Sequence, residues 1–101
     1  MVDNRGMLTA IVLIETEPSL IPEVAQAIAD LPKVSEVYSV TGDVNLIAMV
    51  RVSQHEELSD VIAGQISKVN GVAETRTYIA FQSYSRHDLD AAFGLGFEPA
   101  E

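Results

Sequence analysis

The feature that most constrains this chain is an internal echo. Leu31-Pro-Lys-Val-Ser-Glu-Val37 returns 35 residues later as Ile66-Ser-Lys-Val-Asn-Gly-Val72. Each copy follows a stretch with apolar residues at helical spacing and leads into a run rich in β-branched residues. A chain made of two strand–helix–strand halves must bury two helical stripes and four strands in one core. The economical solution is a single antiparallel sheet with both helices on the same face. A length of 101 residues suits one such domain.

The elements can be placed along the chain. Met7–Ile14 reads MLTAIVLI and predicts a strand buried on both faces. Pro18 and Pro22 break this run. Ser19 is the expected N-cap of a first helix, with Pro22 tolerated in its first turn. Leu20, Val24, Ala27, Ile28 and Leu31 form its apolar stripe, and Pro32 stops it. Val34, Val37, Tyr38 and Val40 belong to a second strand, and Thr41-Gly42-Asp43 is a turn. In the third strand Val44, Leu46, Ala48, Val50 and Val52 alternate with Asn45, Ile47, Met49 and Arg51.

Ser53-Gln54-His55-Glu56 has the spacing of a capping box. Leu58, Val61, Ile62, Ile66 and Val69 give the second helical stripe, ended by Asn70-Gly71. Val72–Gln82 is the fourth strand, with Thr75, Thr77, Ile79 and Phe81 on one face and Val72, Tyr78 and Ala80 on the other. The order is β-α-β-β-α-β. It predicts an α+β, ferredoxin-like sandwich with a four-stranded antiparallel sheet and two helices on one face.

The domain is expected over residues 7–82, with a distinct tail over 83–101. Ser85 or Asp88 would cap a short helix from about Arg86 to Phe93, ended by Gly94. Leu89, Phe93, Leu95 and Phe97 make the tail apolar enough to dock on its own domain or on a neighbouring subunit. The sheet face away from the helices carries Ile47 and Met49, and Ile79 and Phe81 are expected beside them. An apolar sheet face of that kind predicts a symmetric dimer with two sheets face to face.

Composition narrows the function. Six Lys+Arg against fifteen Asp+Glu leave a net charge of −9, with no basic stripe, so direct nucleic-acid binding is not expected. Apolar runs such as Leu46–Val50 fall far short of a membrane span of about 20 residues. The absence of cysteine excludes disulfides, thiolate metal sites and a thiol nucleophile, and fits a reducing cytoplasm. His55 falls in a helical first turn, and His87-Asp88-Leu89-Asp90 reads as a solvated charge run rather than a metal site. No metal, cofactor or catalytic residue is expected, and the chain is not expected to be an enzyme. Asp43 and Asn45 flank a glycine turn between buried strands. Turn chemistry explains that pattern, and so does a nest of backbone N–H groups that holds a small carboxylate.

The segments Leu31-Pro-Lys-Val-Ser-Glu-Val-Tyr-Ser-Val-Thr-Gly-Asp-Val-Asn-Leu46, the strand after it, and Asn70-Gly-Val-Ala-Glu-Thr-Arg-Thr-Tyr-Ile79 carry a resemblance. Over Met7–Gln82 the chain resembles the effector-binding (RAM) domain of Lrp/AsnC-type transcription regulators. The resemblance implies a ferredoxin-like dimer that assembles into larger oligomers and binds amino acids in clefts between dimers. It implies that the glycine turn, here Thr41, Gly42 and Asp43, offers backbone groups and an acidic side chain to the ligand. Asn45 stands where the family usually carries an aspartate, and Thr75 and Thr77 match strand positions that face the cleft. Full-length regulators carry a helix-turn-helix domain, whereas six residues precede the first strand here. The expectation is therefore a stand-alone amino-acid-binding module in the transcriptional regulation of amino acid metabolism, or an oligomerisation partner of a full-length regulator. The alternative is a small cofactor-free enzyme of the monooxygenase-like kind on the same fold, which needs an activating group in its cleft.

Overall fold

The computed structural model describes residues 7–84 and 86. Its main elements are β1 (Leu8–Thr16), α1 (Ile21–Ala29), β2 (Val34–Ser39), β3 (Leu46–Val52), α2 (His55–Ile62) and β4 (Val72–Ile79). Short 3-10 turns at Pro18–Leu20 and Ile66–Lys68 precede α1 and β4. The sheet order is β2-β3-β1-β4, all neighbours antiparallel, which is the ferredoxin-like arrangement.

The sheet's two faces follow from its register. On one side Ala10, Val12 and Ile14 of β1 stand opposite Val50, Ala48 and Leu46 of β3. These residues are fully buried, and Val24, Ile28, Leu58, Val61 and Ile66 close over them from the helical layer. Each large aliphatic side chain so buried contributes about 1.5–3 kcal/mol. On the other side Ile11 and Leu13 stand opposite Met49 and Ile47. No element of the described chain covers that side. The uniformly apolar β1 is therefore buried on one face and half-buried on the other, not enclosed on both.

The open face changes character along its strands. Its middle holds Ile11, Leu13, Ile47 and Met49, flanked by Tyr38 and Tyr78, which are 50% and 56% exposed. At one end Glu15 lies directly opposite Glu74. At the other end Arg51 lies opposite Thr9.

Several local expectations need correction. Ser19 does not cap α1; it sits inside the 3-10 turn, and α1 begins beyond it with Leu20 at its N-cap and Pro22 in its first turn. Ser53 pairs with Glu57 rather than Glu56, its Oγ donating to Oε2 at 3.1 Å and its N–H to Oε1 at 3.3 Å. The second helical stripe is two pieces, because α2 ends at Ile62 and Ile66 enters the core from a 3-10 turn. β4 ends at Ile79, so Phe81 lies beyond it, 77% exposed.

The faces of β4 also differ from expectation. Ile79 stands opposite Ala10, which puts it on the helix side and not on the open face. A register shift between Glu15 and Thr16 brings Val72 opposite Thr16, so Val72 joins the helix side as well. Glu74, Arg76 and Tyr78, opposite Glu15, Leu13 and Ile11, are the β4 residues on the open face. The expected tail helix lies outside the described residues.

Candidate functional site

The loop between β2 and β3 has a fixed base and an open tip. Val40 donates its N–H to the Asn45 carbonyl at 3.1 Å, and Asn45 donates its own N–H to the Ile14 carbonyl at 3.0 Å. The Asn45 side chain completes the anchor, its Oδ1 accepting the N–H of Thr16 at 2.8 Å. The β1 register shift explains that bond: a bulge takes a backbone donor out of the sheet ladder, and a buried donor needs another acceptor. Thr16 is buried, and Val44, beside Asn45 in the loop, is pressed into the fold with 6% exposure.

Asn45 is therefore a structural anchor, and its hydrogen bond was not visible in the sequence. Asn45→Leu should leave the Thr16 N–H unpaired and cost about 1–3 kcal/mol. Asn45→Asp keeps an acceptor oxygen in place and should cost much less. Urea denaturation of the two variants beside the parent separates these outcomes. Equal stability of Asn45→Leu and the parent would remove the anchoring role.

Thr41, Gly42 and Asp43 form the exposed tip. Gly42 has φ +131°, and a Cβ built there would meet nothing within 4 Å. Glycine is thus required by backbone conformation rather than by crowding. Among the described residues, the N–H groups of Thr41, Gly42 and Asp43 donate to no backbone carbonyl. Consecutive free amides around a glycine of positive φ make a concavity suited to an anion. Beside them the Asp43 carboxylate approaches the Arg76 guanidinium at 3.7 Å. Both groups are solvated, so the contact is worth at most about 1 kcal/mol. It does bring a cation and an anion to the same rim as the open amides.

The six residues expected at the site do not converge within one chain. Thr41, Gly42, Asp43 and Asn45 share the loop. Thr75, half-buried, stands opposite Ile14 on the helix side, and Thr77 follows two positions along on that same side. Arg76 between them turns to the open face and is the β4 residue that reaches the loop. Strand alternation could have shown that Arg76 and the two threonines part company; it could not have shown that Asp43 lies beside Arg76.

Thr77 belongs to a different feature. An apolar cleft of about 310 Å³ runs between α2 and β4, lined by Leu58, Ile62, Ala63, Thr77 and Ile79, with His55, Glu56 and Ser59 along its helical wall. The stripe residues Leu58 and Ile62 were legible as core, but not as the wall of a gap. Among the described residues Tyr38 has a perturbed acidity: its hydroxyl bonds to Glu36, and that bond and the nearby carboxylate charge raise its pKa above the usual tyrosine value. It lies exposed on the open face and outside the cleft, so it is poorly placed for a cleft general base. Among the described residues no group of three potential metal ligands is found, and no helix is long and apolar enough to cross a membrane.

Comparison with known proteins bears on this geometry. The model of the Lrp/AsnC ligand binding domain matches residues 9–89. An HTH-type transcriptional regulator of Pyrococcus horikoshii is 36% identical over 76 residues, covering 72% of this chain and 51% of the relative. The chain spans about half the length of the curated relatives it matches. Among solved structures, TTHA0845 from Thermus thermophilus is 46% identical, with a TM-score of 0.74 over 78% of this chain and 99% of that one. A transcriptional regulator of Neisseria meningitidis, solved as a complex with L-Met, shares the fold at 12% identity and a TM-score of 0.71 over 78% of this chain and 53% of that one.

Proposed function

Since the chain belongs to the Lrp/AsnC ligand-binding domain family, we propose that it is a self-associating regulatory module that binds an α-amino acid. The observation that carries this reading is the β2–β3 loop, where open amides, a positive-φ glycine, an aspartate and an arginine share one rim. The N–H groups of Thr41, Gly42 and Asp43 suit a carboxylate, and the Asp43 carboxylate suits an ammonium. Thr75 and Thr77 lie on the other side of the sheet, so their part in the same ligand requires a second copy of the chain. The Pyrococcus horikoshii relative is an HTH-type transcriptional regulator, and the Neisseria meningitidis neighbour is a transcriptional regulator solved with L-Met. These favour a regulatory ligand over a substrate.

Self-association is supported by the open sheet face. Ile11, Leu13, Ile47 and Met49 form a contiguous apolar patch that the described chain leaves uncovered. Patches of this sort on soluble domains mark interaction sites, and a second copy offers a self-complementary one. A mixed assembly with a full-length regulator would use the same surface, whereas larger assemblies of such dimers need another, because the face-to-face pair buries this one. A cytoplasmic setting follows from such a partner.

A thermal scan against the common amino acids tests the ligand. At 100 times the dissociation constant, a bound ligand stabilises by about 2.7 kcal/mol. For a domain of this size that raises the melting temperature on the order of 10 °C. Gly42→Val should abolish the shift while leaving the assembly intact, since the loop lies at the end of the sheet. If none of the amino acids moves the melt, the ligand-binding reading fails, and a structural partner role becomes the better account.

A further inference from the structure

We propose that the cleft between α2 and β4 is the docking site of the chain's own C-terminal segment, residues 85–101, with Leu89 and Phe93 as the side chains that enter it. The cleft lies on the helix side and shares no residue with the β2–β3 loop. Its walls, Leu58, Ile62, Ala63 and Ile79, are aliphatic, and its polar groups are His55, Glu56 and Ser59 along α2 and Thr77 on β4. Its volume of about 310 Å³ is at the small end of ligand sites and suits a pair of large side chains.

Position selects the occupant. Ile79 is both a wall of the cleft and the last residue of β4, so the chain leaves the sheet at the cleft's own edge. Ala80 still donates its N–H to the Thr9 carbonyl at 2.9 Å, and Phe81 and Tyr84 are then 77% and 76% exposed. The residues from 80 to 84 carry the chain at most about 17 Å from the strand end, and those from 85 to 93 span up to about 30 Å when extended. The return path is therefore long enough within one chain. Composition agrees: residues 85–101 hold Leu89, Phe93, Leu95 and Phe97, more large apolar groups than a solvated end carries.

The chain has no cysteine, which makes a paired-cysteine experiment clean. Ala63→Cys stands at the cleft and Ala92→Cys beside Phe93, so both docking side chains remain. Mild oxidation of the full chain carrying both changes should give an intramolecular bridge, seen as a faster-running monomer on a non-reducing gel. Separately, the methyl signals of Ile62 and Ile79 should be displaced by the Phe93 ring and should lose that displacement in Phe93→Leu. The signals of Ile11 and Ile47, on the opposite face, should stay in place. Absence of the bridge, a bridge formed between chains alone, or unmoved Ile62 and Ile79 signals would each overturn the proposal. None of these outcomes depends on an amino acid binding at the β2–β3 loop.

Discussion

Met49→Asp should convert the assembled protein into monomers. Met49 sits mid-strand on the open face, opposite Ile11 on one side and Glu36 on the other. In a face-to-face pair of sheets a carboxylate there is buried with no partner, which costs about 3–5 kcal/mol. That weakens the dissociation constant by at least about a hundredfold. Sedimentation at micromolar concentration reads the change directly. Two controls sharpen it. Phe81→Asp lies past the end of β4 on an exposed residue and should leave the oligomer as it is. Ile79→Asp lies on the helix side and should disturb the cleft without touching the interface. An unchanged oligomer in Met49→Asp would remove the open face as the contact surface.

Gly71→Val should lower the melting temperature on the order of 10 °C or more. Gly71 has φ +103°, where any side chain is strained, and a Cβ there would lie 2.7 Å from Val24 Cγ2 and 3.1 Å from Leu20 Cδ1. The backbone strain costs about 1–2 kcal/mol, and forcing atoms into a packed contact adds about 1–3 kcal/mol. A domain of this size loses roughly 4–8 °C per kcal/mol. The site is also a junction, since the Gly71 carbonyl accepts the N–H of Glu17 at 2.8 Å and so ties the end of β1 to the start of β4. Gly42→Val is the natural comparison: it meets the same kind of strain with open space around it, and should cost far less. A melt for Gly71→Val that matches the parent's would refute the close approach.

The order of elements and the helix-side core were legible because both rest on periodicity. Leu46, Ala48, Val50, Val24, Ile28, Leu58 and Val61 all sit where alternation or helical spacing puts them, whereas the uniformly apolar β1 gave no alternation to mark Val12 and Ile14 as its helix-side residues. The resemblance also led to the right family. β4 was legible as a strand but not in its facing. Alternation sorts its residues into two sets and cannot say which set is covered. The register with β1 decides that, together with the shift at Glu15/Thr16. The capping box is off by one residue because Ser53 lies two positions ahead of the first helical residue, within reach of Glu57 instead. The candidate site was legible in its loop, where glycine and aspartate advertise a turn. Its anchor was not, because the Thr16 donor that Asn45 accepts is 29 positions away in the chain.

The open face also has a direction. Glu15 meets Glu74 at one end, with Arg76 one step further in, while Glu36 and Arg51 stand toward the other. A second copy laid on it with matching ends would bring the Glu15 and Glu74 carboxylates of both chains together, an arrangement that repels. Turned end for end, the copy sets those carboxylates apart. That repulsion favours a two-fold axis that crosses the strands over one that runs along them, and added salt weakens the preference.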